Sequence, residues 1–364
     1  MADDQNPPEL NQLRQRIDSL DQQLVELLNK RAQEVVKIGD LKRRCDGAIY
    51  APAREQQVFR QIRQHNRGPL SDRCLEAIWR ELMSGSFALE KTLKIGYLGP
   101  PGSFSHLAAR LKFGASVHYH GMEDIGSVFD ETARGHIDLG LVPIENSAMG
   151  GIGETLDSFL DSSVRVFAEV LIRVHHNLLA NTTADQIEIV YSRPEVFAQC
   201  RKWLGQHLPK AQRVPVASSS KAASMASQET NAAAVGSSLA GEVYDIATLE
   251  SNIEDNPNNV TRFFVISTQT AQPSNEDKTA LMFTTAHQPG ALATVLDVFR
   301  DSGLNLTHID KRPSQRVNWE YYFFVDFLGH QNDPKVAQAI EAARAHCLHL
   351  AVLGSFPRAG APLP

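Results

Sequence analysis

Between Leu10 and Leu27 the apolar residues Leu10, Leu13, Ile17, Leu20, Leu24 and Leu27 recur every three or four positions among polar ones. That spacing predicts a long helix whose apolar seam packs against other helices. The next seam position is Arg31, and Lys42 follows eleven residues later near the same face. A cation on a buried face is costly unless an anion meets it. At 1.5 Å per residue the two lie ~16 Å apart along the axis. They either grip one small dianion between them or snorkel to solvent at the end of the bundle. A break at Gly47 to Pro52 leads to a second amphipathic stretch that opens with Arg54-Glu55. The turn Asn66-Arg67-Gly68-Pro69-Leu70 introduces a third helix with Ser71 or Asp72 as N-cap. It carries Leu75, Ile78, Trp79, Leu82 and Met83 at helical spacing and passes through Ser86 and Glu90.

At Leu93 the pattern changes. LKIGYL, VHYH, IDLGLVPI, VRVFAEVLI, IEIVY, AAAV and RFFVIS read as strands between helical stretches, which predicts an α/β domain up to about residue 270. Such sheets place ligand sites at the carboxyl ends of strands. Three polar segments fall there: GPPGSFSH (Gly99 to His106), PIENS followed by MGGIGETLD, and NNVTRF (Asn258 to Phe263). In the first, Gly102-Ser103-Phe104 offers backbone amides at a helix start, a natural anion site. Each segment alone also fits an ordinary turn or capping cluster. The polar linker TQTAQPSNEDK then separates off a strand–helix–strand–strand–helix–strand order, that of a ferredoxin-like sandwich.

Composition narrows the class. The chain has 364 residues, enough for two or three domains, with 42% hydrophobic and 21% charged residues, ordinary for a soluble protein. A formal net charge of -6 leaves no basic footprint for nucleic acid. Cys45, Cys74, Cys200 and Cys347 are far apart without CxxC spacing, so they read as cytosolic free thiols. The acidic, polar start and the absence of a long apolar run predict a cytoplasmic protein with no membrane contact. His175 and His176 are neighbours on an extended segment, point to opposite faces, and do not chelate a metal together.

The text LNQLRQRIDSLDQQLVELLNKR, then GDLK, then ARE, resembles the all-helical chorismate mutase family. The resemblance implies three helices from each of two chains interlocked, with Arg31, Lys42, Arg54, Glu55, Ser86 and Glu90 lining a pocket and Arg14 supplied by the other chain. Arg14 lies seventeen residues from Arg31, about 100° away around the helix, so one chain does not point both at one ligand. The implied rearrangement of chorismate to prephenate is pericyclic. Arginines hold the two carboxylates, and Lys42 with Glu90 faces the breaking ether oxygen. Two departures stand out: Ala51 where the family commonly has an aspartate, and Glu90 where it has a glutamine.

Residues 93–270 resemble prephenate dehydratase, most specifically in VPIENS…GGIGETLD and NVTRFF. The resemblance implies two α/β lobes like those of type II solute-binding proteins and a cleft lined by Ser103, Glu145, Asn146, Ser147, Ser218, Thr261 and Arg262. Thr261 is the expected donor to the departing hydroxyl, with Glu145 as an alternative acid and Arg262 or the Ser103 amide on a carboxylate. The last segment resembles the ACT domain, through Gly290-Ala291-Leu292 and Asp310-Lys311-Arg312-Pro313. It implies phenylalanine as effector, although Asp310 and Lys311 depart from the family's Glu-Ser-Arg-Pro.

The expected organisation is therefore an all-α mutase domain over 1–92, a two-lobed α/β dehydratase domain over 93–270 and an α+β ACT domain over 278–356, together resembling the bifunctional chorismate mutase–prephenate dehydratase family. That implies chorismate, prephenate and phenylalanine as ligands, no cofactor or metal, and at least a homodimer. Two alternatives stay open on the residues: a dehydratase whose helical domain only dimerises, and a cytosolic ligand sensor without catalysis.

Overall fold

The computed structural model describes residues 7–44, 48–314 and 321–364. Cys45, Gly47, Trp319 and Glu320 lie outside them, as does the acidic start 1–6. Three helices open the chain: α1 (Pro8–Arg44), α2 (Pro52–His65) and α3 (Asp72–Glu90). Pro52 stands at the first position of α2, where its missing N–H costs nothing. Ser71 caps α3, its Oγ accepting the Cys74 N–H at 3.3 Å. A Cβ on Gly39 would lie 3.0 Å from Glu90 Cγ, so the glycine lets the end of α1 approach the end of α3. The seam expected to be buried is open in the single chain: Leu13, Ile17, Leu20, Leu24 and Leu27 are 53–60% exposed. The reason is length. α1 has 37 residues, whereas α2 and α3 have 14 and 19 and leave its N-terminal half uncovered.

The first α/β lobe runs through β1 (Lys94–Leu98), α4 (Phe104–Phe113), β2 (His118–Met122), α5 (Ile125–Ala133), β3 (Leu139–Asn146), the short β4 (Gly150–Gly151), α6 (Gly153–Phe159) and β5 (Arg165–Arg173). The second contains β6 (Asn177–Leu179), β7 (Ile189–Ser192), α7 (Pro194–Gln199), α8 (Arg201–His207), β8 (Gln212–Pro215), α9 (Ser219–Ala226), β9 (Ala232–Gly236), α10 (Ser238–Tyr244) and β10 (Thr248–Glu250). The chain then returns to the first lobe as β11 (Val260–Ser267). The sheets have the orders β2-β1-β3-β11-β5 and β10-β6-β9-β7-β8. Two crossings, at 174–176 and 251–259, join the lobes. Strands β4, β6, β8 and β10 are two to four residues long and lacked a readable alternation.

The last unit is β12 (Asp277–Thr284), α11 (Ala291–Asp301), β13 (Leu306–Pro313), β14 (Tyr321–Leu328), α12 (Pro334–Arg344) and β15 (His349–Pro357), an antiparallel sheet ordered β13-β14-β12-β15 under two helices. Alternation along β12 explains how it docks. Leu281 and Phe283 face the helix-side core with Val295, Phe299 and Val336, while Ala280 and Met282 join Val166 and Phe264 of the first lobe in a second core. The chain end then folds back, the Leu363 carbonyl accepting the Arg173 N–H beside β5.

Candidate functional site

A cleft of about 580 Å³ lies between the two α/β lobes, lined by Ser103, Asn146 and Thr261 from one side and by Arg193, Gln199 and Ser218 from the other. Asn146 and Thr261 are direct cross-strand partners on β3 and β11. The Asn146 Oδ1 accepts the Ala148 and Met149 N–H groups at 2.9 and 3.1 Å, which fixes the orientation of its amide. Its Nδ2 therefore donates, to Thr261 Oγ1 at 2.8 Å and Asn259 Oδ1 at 2.9 Å. Because Thr261 Oγ1 accepts from Asn146, its own hydrogen remains free to donate into the cleft.

Ser103 caps α4, its Oγ accepting the His106 N–H at 3.2 Å and donating to the Leu98 carbonyl at 3.1 Å. Gly102, at φ +84, gives its N–H to His106 Nδ1 at 3.1 Å. Burial first, and the Arg110 charge second, push the His106 pKa down to about 4, so it serves as a neutral acceptor. The Ser103 amide, expected to hold a carboxylate, is instead committed to the Pro100 carbonyl at 3.2 Å. The N–H groups of Phe104 and Ser105, the first two helical residues and both in the cleft wall, are the ones placed to receive an anion there. Ser218 caps α9, accepting the Lys221 N–H at 3.0 Å.

Three expected residues stand elsewhere. Successive side chains on a strand alternate, so with Thr261 in the cleft Arg262 points out of the back of the sheet. There it pairs with Glu169 at 2.8 Å and Asp326 at 2.6 Å, all three buried. Burial alone would raise the Glu169 pKa, but Arg262, Lys278 and the Ala359 N–H together hold it below the usual carboxylate value. By the same alternation Glu145 leaves the cleft and lies 3.4 Å from His308 Nδ1. Ser147 braces the turn before β11, accepting the Val260 N–H at 2.9 Å and donating to the Asn258 carbonyl at 3.3 Å. Arg193, Gln199 and His176 are cleft residues the sequence reading did not pick. Arg193 could have been found, since it follows β7 directly at a strand's carboxyl end.

Among the helices, Arg31 Nη1 donates to Ser86 Oγ at 2.9 Å and Lys42 Nζ to Glu90 Oε2 at 2.8 Å. The cations lie eleven residues apart on α1, yet their partners are four apart on α3, about one turn, so the long side chains converge. A cavity of about 540 Å³ opens beside Lys42, Gly39 and Glu90. Arg54 and Glu55 do not join this cluster. Arg54 reaches the exposed Gln57 Oε1 at 2.7 Å. Glu55 is buried, accepting from the Tyr50 hydroxyl at 2.9 Å and from Lys112 of α4 at 2.5 Å. Arg14 is exposed on the uncovered half of α1. In the last unit Gly290 caps α11 at φ +84, with Ala291 and Leu292 as its first residues. On β13, Asp310 accepts the Lys311 N–H, Lys311 lies 5.1 Å over the Tyr321 ring, and Arg312 grips Asp157 of α6 at 2.5 and 2.8 Å, with Pro313 closing the strand.

Comparison with known proteins agrees with these three parts. The chain matches the family models for chorismate mutase type II over residues 13–91, prephenate dehydratase over 95–271 and the ACT domain over 279–345. A bifunctional chorismate mutase/prephenate dehydratase of Pseudomonas aeruginosa is 41% identical over 358 residues, 96% of this chain and 98% of that one. One from Aquifex aeolicus is 39% identical over 356 residues, covering 96% and 98%. Among solved structures, the prephenate dehydratase of Arthrobacter aurescens in complex with L-Phe is 30% identical with a TM-score of 0.68, covering 73% of this chain and 90% of that chain. On this evidence of sequence and fold, the chain belongs to the bifunctional chorismate mutase/prephenate dehydratase family.

Proposed function

We propose that the helical domain, over 1–92, rearranges chorismate to prephenate, and that the α/β domain, over 93–270, converts prephenate to phenylpyruvate. Phenylalanine acts as feedback inhibitor at the ACT domain, over 278–356. The observation that carries this reading is one chain with two separate polar clusters: Arg31, Lys42, Ser86 and Glu90 between α1 and α3, and Asn146 with Thr261 in the cleft. In the first, Arg31 holds a substrate carboxylate, and Lys42 with Glu90 faces the ether oxygen as its bond breaks. In the second, carbon dioxide and the ring hydroxide leave together as the ring becomes aromatic. The Thr261 hydroxyl donates to the departing oxygen, and the start of α4 takes a carboxylate.

The open apolar face of α1 supports a homodimer in which a second copy covers it and Arg14 of one chain serves the other's pocket. At the ACT domain, the ligand contacts we assign are Gly290 to Leu292 and Asp310 to Pro313. The unpaired Cys74, Cys200 and Cys347 support a cytoplasmic setting.

Phenylpyruvate formation from chorismate as sole substrate tests the whole sequence. Suppression by added phenylalanine is the expected result. Product from prephenate alone would reduce the helices to a dimerisation element, and no product from either substrate would leave a ligand sensor.

Glu90 yields a sharper prediction. A carboxylate paired with Lys42 only accepts, whereas an amide also donates. Glu90→Gln should therefore raise the mutase rate, because it offers the ether oxygen a donor beside Lys42. An unchanged rate in the variant would take Glu90 out of the reacting pair.

A further inference from the structure

We infer that His176 is a further substrate-contacting residue of the dehydratase cleft, presenting Nδ1 to the oxo-acid arm of the substrate, with Gln199 setting its orientation. This rests on the dehydratase reading above. His176 lies in the crossing between β5 and β6, lines the cleft, and is only 2% exposed. Its backbone is pinned on both sides: the N–H donates to Glu254 Oε2 at 2.9 Å, and the carbonyl accepts the Ile253 N–H at 2.8 Å. The ring is fixed as well, with Phe104 meeting it edge-on at 5.3 Å and Nε2 lying 2.6 Å from Gln199 Oε1. That leaves Nδ1, which is buried and has no hydrogen-bond partner among the described residues. A buried polar atom kept unpaired is a standing cost, and one on a cleft wall is recovered when a ligand pairs with it.

Which end of the substrate it meets follows from strand register. Thr261 pairs with Ile172, and the Asn259 carbonyl takes the Val174 N–H, so His176 lies four residues beyond the partner of Thr261. At about 3.3 Å per residue that is ~13 Å along the cleft. This span suits a six-membered ring bearing a three-carbon acid arm, with a hydrogen bond at each end. With Thr261 on the ring hydroxyl, His176 faces the ketone and carboxylate of the arm. These groups only accept, so the bound imidazole carries its proton on Nδ1. A half-turn of the Gln199 amide, which then donates to Nε2, permits that tautomer. Burial holds the ring neutral, against the opposing pull of Gln199 and Glu254, so a single proton shared between two nitrogens is the relevant state. Neighbouring His175 faces Glu254 at 2.7 Å and takes no part.

Three variants of the full chain test this, each with the mutase rate of the same preparation as a check on folding. His176→Ala should lower kcat/KM for prephenate by about 10- to 100-fold, mostly through KM, the size of one lost hydrogen bond to a charged group. His176→Asn puts an amide nitrogen near the place of Nδ1 and should recover part of that loss. His176→Gln reaches the place of Nε2 instead and should not. Equal kcat/KM in wild type and all three variants overturns the inference. So does an equal loss in the Asn and Gln variants, which would assign the ring to packing. If His176→Ala fails to fold, the Asn and Gln variants decide between themselves. A wild-type chain inactive on prephenate but active on chorismate would overturn the dehydratase reading itself, and the inference with it.

Discussion

Replacing Thr261 by valine removes dehydratase turnover and leaves the mutase intact. The expected loss is about 10²- to 10³-fold in kcat, that of deleting one preorganised donor from the place where negative charge develops. Valine keeps the branched shape and the β propensity that β11 requires, so the fold and the cross-strand pairing with Asn146 persist. What disappears is the hydroxyl whose hydrogen the Asn146 network leaves free: Asn146 Oδ1 is committed to two backbone N–H groups, and Nδ2 donates to Thr261 Oγ1 at 2.8 Å. A threonine is a weak acid at neutral pH, so it assists the departing hydroxide by hydrogen bonding, and the hydroxide leaves to solvent, where buffer neutralises it. The measurement is phenylpyruvate release from prephenate beside chorismate consumption in one preparation. A dehydratase rate within a few-fold of wild type would dismiss Thr261 as the donor.

What the sequence revealed, and what it hid, divides along one physical line. Periodicity is local, so the long helix, the capped third helix, the major strands and the order of the final sandwich were legible from spacing alone. Thr261 and Asn146 were legible too, because their motifs fix them on strand ends. Destinations of side chains were less so. Arg262 follows Thr261 in the chain, yet the pleat sends it to the opposite face, toward a domain some sixty residues further along. Glu55 could not be placed, because its partner Lys112 belongs to α4 of the next domain. The seam of α1 read correctly as apolar, but no pattern within the helix states what covers it. His176 was noticed only as half of a histidine pair, and its meaning depends on Gln199, twenty-three residues away.

Arg262→Met should cost about 3–5 kcal/mol of stability at neutral pH, the range found when one partner is removed from a buried ionic cluster. Methionine fills much of the space but leaves Glu169 and Asp326 facing each other without their shared cation. Lys278, 3.1 Å from Glu169, relieves only one of the two. The pH dependence separates this mechanism from simple loss of packing. In the wild-type chain the folded Glu169 has a depressed pKa, so its contribution to stability is present above the ordinary carboxylate value of about 4.3 and is lost as pH falls through the folded value. Without Arg262, only Lys278 and the Ala359 N–H oppose the burial of Glu169, so its pKa rises above its wild-type value. The folded variant then binds protons more readily than the folded wild-type chain, and its deficit shrinks as pH falls from 7 toward 5. Unfolding of the full-length protein followed at several pH values tests the sign directly. A deficit that is constant across that range would mean Arg262 acts through its aliphatic stem and its contact with the Phe264 ring at 4.7 Å. A deficit that narrows, and narrows further when Glu169→Gln is added, assigns it to the charges that fasten the ACT sheet behind the strand carrying Thr261.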